Sequence, residues 1–117
     1  MVADARTIPT IDLMKIRTDM GLSREKMARI VDVSSKTIER WEKGETHPTS
    51  RRINRLYAEL YEMVELGLIV YTAEGFKWLM TQRVPVFDDR SPLQMLESGD
   101  VESVTSLLAA EYEGQGF

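Results

Sequence analysis

Apolar residues recur along this chain of 117 residues at helical rather than strand spacing. Leu13, Ile16 and Met20 stand three and four apart and predict a helix that Gly21 stops. Ser23 is placed to cap a second helix carrying Met27, Ala28 and Val31. Ser34 caps a third, with Ile38 and Trp41 inward and Gly44 as its C-terminal stop. Pro48 and Thr49 punctuate the start of a fourth and longest helix, in which Ile53, Leu56, Tyr57, Leu60 and Val64 make a continuous stripe. This helix is expected over Thr49–Glu65, ending before Gly67, with Tyr61 and Met63 exposed beside the stripe. Thr72 opens a short helix with Phe76, Leu79 and Met80, and the following TQRVPVFDDR is irregular. Ser91-Pro92-Leu93-Gln94 combines an N-cap serine, a proline at the first helical position and a capping-box glutamine. Gly99 ends that helix and Asp100 caps the last, whose face is Val101, Val104, Leu108 and Tyr112 before Gly114 frays it into EGQGF. The pattern predicts an all-α chain.

Hydrophobic content of 43% supports a packed core, and charged content of 29% supports a soluble surface. The longest apolar run, Leu66–Tyr71, is far short of a membrane span, and MVADARTIPT lacks the apolar stretch of a signal peptide. Without cysteine there is no disulfide framework or cysteine-based zinc site. A cytoplasmic protein with no membrane partner is expected. The formal net charge of -4 is unevenly spread. Residues 1–56 hold 12 Lys and Arg against 8 Asp and Glu, whereas residues 57–117 hold 3 against 11. The acidity therefore belongs to the second half.

Two short helices joined by a tight turn, between Ser23 and Gly44, are the pattern of a helix-turn-helix, although a generic helical pair shares the same periodicity. The second helix of such a unit enters the major groove and must be small and polar at its leading end. Ser34, Ser35, Lys36 and Thr37 meet that need, and Lys36 can donate to guanine O6 or N7. Arg40 follows one turn later on the same side and can fork onto guanine or phosphate. Arg24, opening the bracing helix, suits a phosphate contact.

GLSREKMARIVDVSSKTIERWEKGETHP resembles the Xre or phage-repressor type of helix-turn-helix, over about Ile11 to Leu60. The resemblance rests on Gly21-Leu22-Ser23, Met27-Ala28, Val31, Val33-Ser34, Thr37-Ile38, Arg40-Trp41-Glu42, Gly44 and Pro48. It implies an ion pair between Arg17 and Glu42 that serves as scaffold, and a place in the core for Trp41. One departure is Asp32, where the family often has glycine in the turn. Operators of such proteins are usually two half-sites, which implies a homodimer. The fourth helix, with Tyr61 and Met63, is a candidate surface for it, although the same residues could pack inside the chain.

A minimal domain of this type ends near residue 65, leaving an acidic remainder. FKWLMTQRVPVFDDRSPLQMLESGDVESVTSLLAAEYEGQGF resembles the C-terminal domain of Xre/ParS/MbcA-type antitoxins, the partners of RES-domain toxins. The matching elements are Trp78-Leu79, Pro85, Arg90-Ser91-Pro92-Leu93, Leu96, Gly99, Val104, Leu108 and Tyr112-Glu113-Gly114. Val86-Phe87-Asp88-Asp89 departs from a loop that is more often small and glycine-containing. The resemblance implies an antitoxin that represses its own promoter and neutralises an NAD-consuming toxin. Its tail, Tyr112, Glu113, Gly114, Gln115, Gly116 and Phe117, would lie at the toxin's NAD pocket. Read by itself that segment is a frayed terminus, as most chain ends are.

The expected organisation is a phage-repressor-like helix-turn-helix bundle over residues 1–66 and a small helical toxin-binding domain over 67–117. Operator DNA, a RES-domain toxin and a second copy are the expected partners. No enzymatic activity, cofactor or metal is expected. One histidine, His47, precedes a proline, Asp88-Asp89 reads as a solvated loop pair, and the scattered glycines build no phosphate loop. The competing reading is a stand-alone Xre-family transcriptional regulator whose C-terminal half serves dimerisation or ligand sensing.

Overall fold

The computed structural model describes residues 11–114. Among them are seven α-helices: α1 (Leu13–Asp19), α2 (Arg24–Val31), α3 (Ser35–Glu42), α4 (Arg51–Val70), α5 (Ala73–Met80), α6 (Pro92–Glu97) and α7 (Val101–Gly114). The all-α class is as the periodicity predicts.

Side-chain caps set the boundaries. Ser23, Ser34, Thr72 and Ser91 each accept a hydrogen bond from the backbone N–H three residues on. Asp100 accepts likewise from Ser103 N–H at 2.9 Å and from its hydroxyl at 2.7 Å. Each such cap contributes about 1 kcal/mol. The capping box at Ser91 and Gln94 is complete in both directions. Asp32 closes α2 in the left-handed region at φ 65°, so the turn is made with the aspartate that replaces the usual glycine.

Four expectations need correction. The cap of α4 is Ser50 rather than Thr49. α4 also runs past Gly67 to Val70. Gly67 does not stop it because the ring of Phe76 lies against its Cα: an added Cβ would sit 2.6 Å from Phe76 Cδ1 and 2.8 Å from Cζ. Met63 is fully buried rather than exposed, since α1, α5 and α7 all pack on α4 and widen its covered face. The segment after α5 is ordered by a 3₁₀ turn over Pro85–Phe87, with Val84 N–H donating to Arg90 C=O at 3.0 Å. Asp88 and Asp89 both take positive φ there.

α4 is the spine. α7 makes the most extensive helix contact in the molecule along it. α2 and α3 pair with each other, and α6 bridges α2, α5 and α7. Arg29 on α2 donates to Glu97 on α6 at 2.9 Å. One hydrophobic cluster, with Met20, Met27, Ile38, Leu60, Phe76, Leu96 and Leu108 in it, runs through the elements on both sides of residue 66. The division between residues 66 and 67 falls inside α4.

Candidate nucleic-acid interface and C-terminal face

The first chemistry-bearing surface is the α2–α3 pair. Ile38 buries fully, and Trp41, half-buried, packs edge-on against Tyr57 at 6.2 Å and 75°. With that side of α3 committed inward, its leading end and opposite side are left outside. Lys36 and Arg40 are exposed there, with Ser35 and Thr37 half-exposed beside them. Ser34 is exposed but engaged: its Oγ accepts from Thr37 N–H at 3.1 Å and lies 2.9 Å from Thr37 Oγ1. Lys36 Nζ rests 3.4 Å from Glu39, which also takes Lys43 at 2.8 Å. The hydrogen bond from Lys43, then that from Lys36, hold the Glu39 carboxyl below its ordinary range. Exposed pairs of this kind contribute little to stability, so a nucleic acid can draw Lys36 away at little cost. Arg40 has no salt bridge or side-chain hydrogen bond among the described residues.

Arg24 holds a position that sequence reasoning only half found. Its Nε donates to Glu42 Oε1 at 3.0 Å. The same carboxylate takes Arg17 twice, Nε to Oε2 at 2.6 Å and Nη2 to Oε1 at 2.9 Å. Arg17 Nη1 also donates to the Leu22 carbonyl at 2.9 Å. The side chain of Glu42 is 2% exposed, that of Arg17 14% and that of Arg24 34%. Burial pushes the Glu42 carboxyl up, but the hydrogen bonds and charges of Arg17 and Arg24 outweigh it and hold it below its ordinary value. One carboxylate thus ties α1, α2 and α3 together, and it fixes one edge of the arginine at the start of α2. The Arg17–Glu42 pair was legible from the resemblance. Arg24 joins it only through tertiary packing, for which the sequence carries no local signal.

The second surface is the acidic half. α7 continues to Gly114, two residues into the expected EGQGF tail, so Tyr112, Glu113 and Gly114 belong to its last turn. Tyr112 is half-buried, and Glu113 and Gly114 are exposed. Gln115, Gly116 and Phe117 lie outside the described residues. The Tyr71 hydroxyl at the end of α4 donates to Glu111 on α7. Burial, then this bond, pushes the Tyr71 phenol up to about 12. Beside α7 an open groove of about 700 Å³ runs between Val86, Arg90 and Leu107. Val86 is 73% exposed at its edge. Among the described residues no group of three His, Asp or Glu side chains is placed to hold a metal. No helix among them is long and apolar enough to cross a membrane.

A helix-turn-helix family model, HTH_3, matches residues 13–58. That segment is an Xre-type helix-turn-helix domain. The match spans α1 to α3 and the first half of α4, and so contains the whole Arg17–Glu42–Arg24 lock. Beyond the domain, the chain is 25% identical over 95 residues to the mycobacterial cidal antitoxin MbcA of Mycobacterium tuberculosis and of Mycobacterium bovis. The alignment covers 81% of this chain and 83% of the relative, so the homology extends into the acidic half. The crystal structure of the M. tuberculosis MbcT–MbcA toxin–antitoxin complex contains a chain that superposes with a TM-score of 0.73 at 22% identity. It covers 88% of this chain and 92% of that one, and the two share a fold.

Proposed function

We propose that this chain is the antitoxin of a type II toxin–antitoxin system. In this reading residues 1–66 repress the chain's own promoter, as a homodimer on two half-sites. Residues 67–117 bind and neutralise a RES-domain toxin that consumes NAD. The chain itself carries out no catalysis and works in the cytoplasm. The observation that carries the reading is the similarity to MbcA, which runs through the helix-turn-helix domain and on into the acidic half.

The geometry supports each part. α3 presents Lys36 and Arg40 outward, with Thr37 half-exposed between them, and Arg24 at the start of α2, held on Glu42 at the C-terminal end of α3, is assigned as a phosphate contact. Phosphate contacts position such a protein on the duplex, and base-edge contacts from α3 specify the sequence. The acidic half suits a different partner. A pocket that binds an anionic dinucleotide is itself basic, and the last turn of α7 brings Glu113 to the end of the described chain. Tyr112 to Phe117 are the segment assigned to that pocket. The bond from Tyr71 to Glu111 anchors the turn from which it departs.

The test is co-expression with a RES-domain candidate toxin, followed by purification and an assay of NAD loss. The reading expects a stable complex in which NAD is spared, and NAD consumption by the partner once separated. A chain truncated after Tyr112 should still bind DNA but inhibit less. Equal inhibition by the truncated and full chains would sink the tail assignment. A chain that binds DNA but no such partner would leave the stand-alone regulator.

A further inference from the structure

The outer face of α4 carries an ordered set of charges. Arg51, Arg52 and Arg55 stand near its N-terminus, followed by Glu59 and Glu62, and all five are exposed. None of the five makes a salt bridge or side-chain hydrogen bond among the described residues. Elsewhere Lys15 pairs with Asp19, Arg29 with Glu97 and Lys43 with Glu39. The order is also unfavourable to α4 alone. Arginines crowd the positive end of the helix dipole, and the first turn has no acid to offset them. Arg55 before Glu59 is the weaker orientation for a pair four residues apart.

A second copy laid antiparallel reverses each of these disadvantages. Arg52, Arg55, Glu59 and Glu62 follow one another at spacings of three, four and three, the seam of a helix pair. They are also symmetric about residue 57. With a rise of 1.5 Å per residue, Arg55 and Glu59 lie about 3 Å either side of that level, and Arg52 and Glu62 about 7.5 Å. A twofold axis crossing there sets each arginine opposite a glutamate of the other copy. Ala58, half-buried on the same side, lets two such helices approach closely. The acidic end of the seam adjoins a groove of about 300 Å³ between α4 and α7, lined by Glu59, Glu62, Glu102, Thr105 and Ala109. An incoming arginine can lay its stem along that lining and bring its guanidinium to the carboxylates.

We infer that this face of α4 is a twofold interface with a second copy of the chain, in which Arg55 pairs with the second copy's Glu59 and Arg52 with its Glu62. This rests on the homodimer reading above and names its surface.

Sedimentation velocity of the full chain, without DNA, tests it. At tens of micromolar and low salt the chain should be a dimer. Arg55→Glu and Glu59→Arg should each weaken association about 30-fold, because one reversal per chain turns two attractive pairs into repulsive ones. Circular dichroism checks that each variant keeps its helices. Mixing the two variants one to one should restore a dimer, since every pair is then complementary; a merely structural effect of either change would not be rescued by mixing. If both variants associate as tightly as the original chain, the face is wrong while the homodimer reading stands. Loss of DNA binding with unchanged association would make the arginines phosphate contacts and overturn the interface. A monomeric original chain would end both, leaving the antitoxin reading to its own test.

Discussion

Removing Glu42 should loosen the whole DNA-binding unit. Its carboxylate is 2% exposed and receives three hydrogen bonds from two arginines on two other helices. In Glu42→Ala, Arg17, whose side chain is 14% exposed in the original chain, keeps its bond to Leu22 C=O but loses its counter-charge. Breaking a buried pair from one side costs about 3–5 kcal/mol. Arg24, a third exposed, can turn to water, so the lower end, about 3 kcal/mol, is expected. Glu42→Gln keeps the shape without the charge and separates packing from electrostatics. The sign with pH follows from the depressed Glu42 carboxyl. A carboxyl whose folded pKa lies below the unfolded value of about 4.3 contributes its full stability above that value. It loses the contribution as pH falls through the folded value. Urea unfolding of the original chain and Glu42→Gln should therefore differ most at neutral pH and converge below about pH 4. A difference that stays constant down to pH 2.5, or one under about 1 kcal/mol at pH 7, would refute the reasoning, because it would mean the lock contributes no net electrostatic stability.

Three further outcomes are expected. Gly67→Ala, which in an exposed helix would gain about 0.5–1 kcal/mol, should instead destabilise by about 1–3 kcal/mol, because the ring of the fully buried Phe76 must shift to admit a methyl. Thermal unfolding checks this, and the loss should shrink in a Phe76→Leu background. Asp32→Gly should leave the helices intact and raise stability by up to about 1 kcal/mol, since φ 65° costs a residue with a Cβ something that glycine does not pay. Lys36→Ala and Arg40→Ala should each weaken operator binding by about 1–3 kcal/mol without changing the urea midpoint, as fluorescence anisotropy and unfolding of the same samples would show.

What could be read from the sequence was what is decided locally. Ser23, Ser34, Ser91 and Asp100 announce their helices because a cap bonds a backbone group three residues away. Lys36 and Arg40 stand exposed on α3 because Ile38 and Trp41 fix which side turns in. Gly67 was misread because glycine has two uses, and they differ only in what lies opposite. Gly21, Gly44 and Gly99 take positive φ and end helices, while Gly67 makes room for a ring nine residues on. Met63 was misplaced because the width of a buried stripe depends on how many helices cover it. The place of Arg24 on Glu42 required α2 to be folded against α3 before it existed.

An acidic chain that reads DNA raises an electrostatic difficulty, and α4 shows how it is met. The charge divides along this one helix in the same sense as along the chain. Arginines stand at the end that follows the helix-turn-helix, and Glu59, Glu62 and Glu65 towards the other. Arg51 and Glu65 are separated by about 21 Å at 1.5 Å per residue. That exceeds two Debye lengths at physiological salt, where the length is about 8 Å. Within one copy, repulsion between the acidic end and a phosphate backbone near the basic end is therefore largely screened, and the net charge of -4 is a poor guide to either surface. Screening works in both directions. The acidic half gains nothing from the basic charges of the first half, so it must attract its own partner by its own charges. The two activities proposed for the chain can then be weakened one at a time: substitutions on α3 for DNA, and on the last turn of α7 for the toxin.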